Sequence, residues 1–197
     1  MPETAAGEGL IGPNAILQLL PVGERHAGRA ERDALIARAG LPHLPDGAAM
    51  IPEAEAAGLH QALRACRPAE APDWAAEAGR RTADYILAHR IPGSVQALLR
   101  LAPPALAAPL LARAVARHAW TFAGSGRFVA AGPWHFRIQA NPLVRGETSD
   151  RPICHWHAAV FQRLYAELVA SDCICRETAC CAQPGATSCD FRITRSP

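Results

Sequence analysis

At 197 residues, half of them hydrophobic, the chain is long enough for one domain with a real core, or a domain with a helical extension, without a disulfide framework. The formal charge is only +2 and every one of the 20 strongly basic residues is arginine, with no dense basic run interleaved with aromatics, which excludes the electrostatic footprint of a nucleic-acid-binding protein. The opening MPETAAGEGL has neither the positive nor the apolar region of a signal peptide, and the longest apolar stretch, Leu98 to Ala116, is broken by Pro103, Pro104 and Pro109, so no membrane span is expected.

In chain order, residues 1–12 read as a disordered N-terminus, 13–103 as a helical part and 104–195 as the core of one unit. Pro13 can open a short helix whose apolar face is Ala15, Ile16, Leu19 and Leu20. A helix over 30–39 stops at Gly40, a left-handed cap before Pro42. A third covers 52–65, with Glu53 and Glu55 near its positive end. Asp73 is a fit N-cap for a long helix, ended by Pro92-Gly93, that buries Trp74, Ala78, Ala83 and Leu87. Another helix runs from Pro104 to Phe122 and stops at Gly124-Ser125-Gly126.

From Phe128 to Leu143 the period changes to two, with Trp134, Phe136 and Ile138 on one face and His135, Arg137 and Gln139 on the other. That is a strand or hairpin interrupted at Gly132-Pro133. A helix over 152–169 and short strands over 174–177 and 190–194, joined by a turn at Gly185, complete an α+β order.

Seven cysteines, an odd number and mostly near the C-terminus, point to a reducing cytosol and metal ligation. Cys66 stands apart and reads as a small buried hydrophobe. Cys154 opens the 152–169 helix on its inward face, where the helix N-terminus favours a thiolate. Glu177 and Cys180 close one strand and Cys189 returns on the next. Thiolates and a carboxylate so placed suit a tetrahedral Zn²⁺. On ligand chemistry alone Cys173, Cys175, Cys181, His155 and His157 compete for the same role.

The segment ETACCAQPGATSCDFRI resembles the C-terminal signature of the 4-vinyl reductase (4VR) domain family: Glu-x-x-Cys, a glycine, then Cys-x-Phe. The resemblance implies a structural zinc held by Cys154, Glu177, Cys180 and Cys189. The interval from Cys180 to Cys189 is one residue longer than the family pattern, which makes Cys181 the alternative. Further segments, IGPNAI, AGRRTADYILAHRIPGSVQALLRLAP, RHAWTFAGSGRF and NPLVRG, are similar to the bacteriochlorophyll-biosynthesis branch of that family and extend the match over residues 11 to 194. It implies a small antiparallel sheet packed with several helices around a pocket, usually paired as a homodimer, in a cytoplasmic protein peripheral at most to the photosynthetic membrane.

The family name refers to reduction of the 8-vinyl (old 4-vinyl) group of divinyl chlorophyllide-type precursors. That chemistry needs a hydride or electron carrier, and no GxGxxG follows a strand here. The expectation is therefore a tetrapyrrole-binding carrier handling Mg-porphyrin or divinyl protochlorophyllide intermediates beside other enzymes of the pathway. The alternatives are an 8-vinyl reductase, or its substrate-binding subunit, and an adaptor acting through a partner. For the ring, His118 is a candidate axial ligand of a chlorin Mg²⁺ on an apolar helix face. Trp120, Phe122, Trp134 and Phe136 can stack on the macrocycle, and Arg137 and Arg145 can pair with a propionate.

Overall fold

The structure, a computed structural model, describes residues 9–196. Short helices with apolar residues at helical spacing build the N-terminal half. Helices α1 (Asn14–Leu17) and α2 (Leu20–Ala27) bury Ala15, Ile16, Leu20 and Val22. Helix α3 (Arg29–Ala39) ends at Gly40, whose φ of 65° lies in the left-handed region that glycine enters without steric cost. Helix α4 (Glu53–Cys66) turns Ala56, Leu59, Ala62 and Leu63 inward. Cys66, expected in the core, is exposed at its end, where the helix has already left the neighbours that bury Leu63.

Strand β1 (Leu10–Ile11) pairs antiparallel with β2 (Ile51–Pro52). Residues 10 and 11 are thus ordered, because Ile11 is fully buried and the Gly12 amide donates to the Thr121 carbonyl at 2.7 Å. Residues 1–8 of the N-terminal segment lie outside the described residues. Helix α5 (Ala71–His89) begins before Asp73: Pro72 starts it, and Asp73 falls in the first turn instead of capping it.

Helix α6 (Gly93–Leu101) precedes α7 (Pro104–Arg117), and the helix expected to continue to Phe122 breaks at His118, leaving α8 (Trp120–Ala123) as a single turn. Local hydrogen bonds explain the break. His118 Nδ1 lies 2.9 Å from the Ala114 carbonyl, and the Thr121 hydroxyl donates to the His118 carbonyl at 2.8 Å. Such bonds offer the backbone an alternative to continuing the helix.

The C-terminal half is an antiparallel sheet of β3 (Arg127–Gly132), β4 (His135–Gln139), β6 (Ser188–Arg195) and β5 (Cys173–Ala179), in that spatial order. Phe136 and Ile138 from β4 and Cys189, Phe191 and Ile193 from β6 are buried at alternate positions, as period two requires. Helix α9 (His155–Leu168) packs on this sheet. Phe161 meets Phe136 and Phe191 edge to face, with ring centroids 5.1 and 5.3 Å away. Its other side meets α5, the most extensive contact between helices. There the backbones touch: a Cβ on Gly79 would sit 2.3 Å from the Trp156 carbonyl oxygen. The Trp156 indole donates to the Thr82 hydroxyl across the same contact at 3.2 Å. The layers run sheet, α9, α5, an α+β arrangement. Among the described residues no helix is long and apolar enough to cross a membrane.

Candidate metal centre

Glu177 and Cys180 are three apart, and on an unbroken strand they would point to opposite faces. A bulge between Glu177 and Ala179 adds the extra residue Thr178 to β5, where Glu177 pairs with Phe191 and Ala179 with Asp190. The bulge shifts the side-chain phase, so Glu177 and Cys180 reach the same interior. Cys189 comes back on β6 opposite Ile138 of β4, after a turn in which Gly185 has a φ of 78°. Cys154 is the N-cap residue of α9, one position before the first helical turn in which it was expected.

These four side chains converge. Cys154 Sγ lies 3.8 Å from Cys180 Sγ and 3.5 Å from Cys189 Sγ, and the last two are 3.7 Å apart. With a carboxylate oxygen of Glu177, all four donor atoms fall within 4.8 Å of one another. A tetrahedral ion bound to sulfur at about 2.3 Å sets its sulfurs about 3.8 Å apart, which the observed edges match. An iron–sulfur cluster, whose own atoms lie between the thiolates, needs wider spacing. Glu177 Oε2 accepts the Cys154 amide at 2.6 Å, while Oε1 is buried and has no hydrogen-bond partner among the described residues. A buried carboxylate oxygen without a donor is costly, and a cation satisfies it. The residues fit a single metal ion.

The electrostatics agree. Burial, with the adjacent Cys180 sulfur, pushes the Glu177 carboxyl up to about 8. Burial likewise raises the Cys154 thiol, overriding the helix N-terminus that was expected to lower it. Cys180 moves the other way, because the Cys154 and Cys189 thiols both donate to it. Three thiols and a carboxyl in contact cannot all ionise unaided, and a bound divalent cation reverses that balance.

Cys181 is placed differently. Its amide donates to Cys189 Sγ at 3.3 Å, and its thiol points to the Ile138 carbonyl at 3.6 Å. Cys173 and Cys175 are buried further along β5, outside the cluster. His155 is also outside it, and His157 lies in the aromatic core, 3.2 Å from the Phe122 carbonyl through Nε2. Sequence reasoning missed Asn141. This buried side chain donates to Cys154 Sγ at 3.3 Å and Cys189 Sγ at 3.5 Å, while its Oδ1 accepts the Leu143 amide. Its one visible signal is an Asn-Pro turn directly after a strand.

The residues proposed for a ring are not brought together. Phe136 is a core residue and Phe122 joins the aromatic cluster through Phe128 and Phe161. Trp134 is half-buried against Tyr165, 5.5 Å between ring centroids. His118 and Trp120 are exposed at the break between α7 and α8, so His118 is not on a buried face. Arg137 pairs with Asp190 at 2.8 Å. The two best-formed concavities are open grooves of about 460 and 450 Å³, the first between α5, α6 and α9 and the second beside Glu53 and Arg145.

Arg145 is held at that second groove by Glu53, 2.8 Å away, and Glu53 also accepts the Ser125 amide and hydroxyl, each at 2.6 Å. Burial alone would raise the Glu53 carboxyl, but the Ser125 and Arg145 donors outweigh it and hold the pKa below the ordinary value. A lowered folded pKa contributes stability that is present above the unfolded carboxylate value and is lost as pH falls through the folded one. Glu53→Gln should therefore flatten part of the acid side of the stability profile, read as urea midpoints from about pH 6 to 3. An unchanged slope there would contradict this account of the clasp.

Residues 134–195 match the 4-vinyl reductase (4VR) domain, and this span holds β4, α9, β5, β6 and all four converging ligands. In overall fold the protein is similar to an Fe(II) unliganded H-NOX protein from K. algicida, at 14% identity and a TM-score of 0.60 over 95% of this chain and 97% of that one. A structure from work on heme distortion in the H-NOX family gives 9% identity and a TM-score of 0.57, over 95% and 96%. At those identities the likeness is one of fold alone. The sequence is 51% identical to the bacteriochlorophyll synthase 23 kDa chain of Cereibacter sphaeroides, over 93% of this chain and 89% of that one. It is 46% identical to the chain of the same name from Rhodobacter capsulatus, over 93% and 87%. Kinship of that depth along nearly the whole length, with a 4VR domain at its C-terminal end, shows that the chain belongs to the family of bacteriochlorophyll synthase 23 kDa chains.

Proposed function

We propose that the protein is a tetrapyrrole-binding accessory protein of bacteriochlorophyll biosynthesis, which holds a Mg-porphyrin or divinyl protochlorophyllide intermediate for a partner enzyme of the pathway. The observation that carries this reading is the 51% identity, over 93% of the chain, with a relative named for bacteriochlorophyll synthase. The metal we assign is zinc in a structural role. Cys154, Glu177, Cys180 and Cys189 would fill a tetrahedron with protein donors and leave no open position for substrate. The ion would contribute folding free energy by joining the start of α9 to the β5–β6 hairpin.

His118 is the residue we assign to the pigment. With Nδ1 donating to the Ala114 carbonyl, Nε2 keeps its lone pair and faces outward beside the exposed Trp120. A neutral imidazole fixed in that tautomer suits a Mg²⁺ at the centre of a macrocycle. Phe136 and Arg137 drop out of the proposed site, since the core and Asp190 already occupy them.

The test is titration of the metal-loaded protein with Mg-protoporphyrin and divinyl protochlorophyllide, followed by absorbance and fluorescence. Saturable binding with a shifted Soret band is expected, weakened about tenfold or more in His118→Ala at unchanged metal content and melting temperature. Absence of binding to either pigment would overturn the reading. Disappearance of the divinyl spectrum on adding reductant would establish the 8-vinyl reductase in its place.

A further inference from the structure

Six of the eight large hydrophobic side chains exposed on the described surface fall between residues 95 and 120: Val95, Leu98, Leu101, Leu106, Leu110 and Trp120. Their exposures run from 42% at Val95 to 86% at Leu101. Helix α6 buries a single residue, Leu99. Helix α7 turns Ala107, Ala108, Leu111, Ala112 and Val115 inward. Its outer stripe follows at four, three and four residues as Leu106, Leu110, Arg113 and Arg117. A concentration of exposed leucine on consecutive surface helices is not the scatter found on an ordinary soluble face.

The charge around these leucines has one sign. None of the 62 residues between Asp84 and Glu147 is acidic, and seven are arginine. Arg113 and Arg117 are exposed and form no ion pair among the described residues. The nearest acids, Asp84 and Glu167, are committed to Arg163 and Arg100.

We propose that the α6–α7 face docks the protein on an anionic bilayer surface, with the leucines entering the headgroup boundary and Arg113 and Arg117 pairing with lipid phosphates. Leucine and tryptophan beside arginine is the pattern of helices that lie in the interface plane. Each basic residue near an anionic leaflet adds attraction that salt screens. A second copy of the chain is a poorer occupant. Across a two-fold contact Arg113 and Arg117 would face like charge, with no acidic residue on the patch to accept them. The pigment assignment is not needed for this inference.

The test is flotation of the full-length, metal-loaded, pigment-free protein with vesicles of phosphatidylcholine alone or of phosphatidylcholine and phosphatidylglycerol in equal parts, at low and high salt. Binding is expected to the anionic vesicles, falling with salt. Leu101→Ser/Leu106→Ser and Arg113→Glu/Arg117→Glu should each reduce it about tenfold or more. Circular dichroism and melting temperature should not change, since all four side chains are exposed. No flotation with anionic vesicles, equal flotation with neutral ones, or binding indifferent to both double variants would overturn the proposal. So would sedimentation showing a dimer that Leu101→Ser/Leu106→Ser dissociates, because the face would then belong to a second copy.

Discussion

Cys180→Ser is expected to cost the protein its metal and about 10 °C or more of melting temperature, whereas Cys181→Ser should cost neither. The two cysteines are neighbours in sequence, but only Cys180 Sγ stands at tetrahedral distance from both Cys154 and Cys189. Cys181 contributes its backbone amide to Cys189 Sγ, and serine keeps that amide. Removing one thiolate leaves two buried thiols and the Glu177 carboxyl without a cation, each held in a site where burial opposes its charge. A chelator should reproduce the Cys180→Ser melting curve in the wild type. Acidification should release the metal, because protons compete for the same sulfurs. The checks are metal content by mass spectrometry and thermal denaturation by circular dichroism. Metal retained in Cys180→Ser and lost in Cys181→Ser would reverse the assignment.

Gly79→Ala carries the second large effect, an expected loss of about 2 kcal/mol or more. Two terms oppose each other. Alanine in a helix interior is favoured over glycine by about 1 kcal/mol. Against this, the new methyl would lie 2.3 Å from the Trp156 carbonyl oxygen and 2.8 Å from Ala159 Cβ, both on the rigid helix α9. Neither atom is the end of a flexible side chain, so the helices must move apart and loosen the Trp156–Thr82 hydrogen bond. The steric term wins. Gly93→Ala is the control, because nothing lies within 4 Å of its added methyl. Urea midpoints of the two variants decide the matter, and equal midpoints would refute the close contact.

What was legible in the sequence is what local periodicity encodes. The turn to period two around Phe136 and Ile138 marks the β3–β4 hairpin, and Gly40 marks the end of α3. The break at His118 was not legible, because Leu111, Val115 and Phe122 keep helical spacing across it while the Ala114 and Thr121 hydrogen bonds end the helix. Helix α6 was hidden for a related reason. Its leucines have no buried face to give them a period, since all but Leu99 look outward or half outward. At the metal centre, residue types and spacing left many donors in play. The bulge at Thr178 and the Asn141 hydrogen bonds depend on strand pairing that no short segment specifies.

The seam between α5 and α9 bears on how far the C-terminal part is modular. Residues 134–195 contain α9 but not α5, and β4 but not its partner β3. Cut out alone, that stretch would expose Trp156 and the flank of α9 shaped to receive Gly79, along with one unpaired edge of β4. The recognisable unit and the folding unit therefore have different boundaries, and insertions or fusions between α5 and β4 are constrained by a helix that lies about fifty residues upstream of the match.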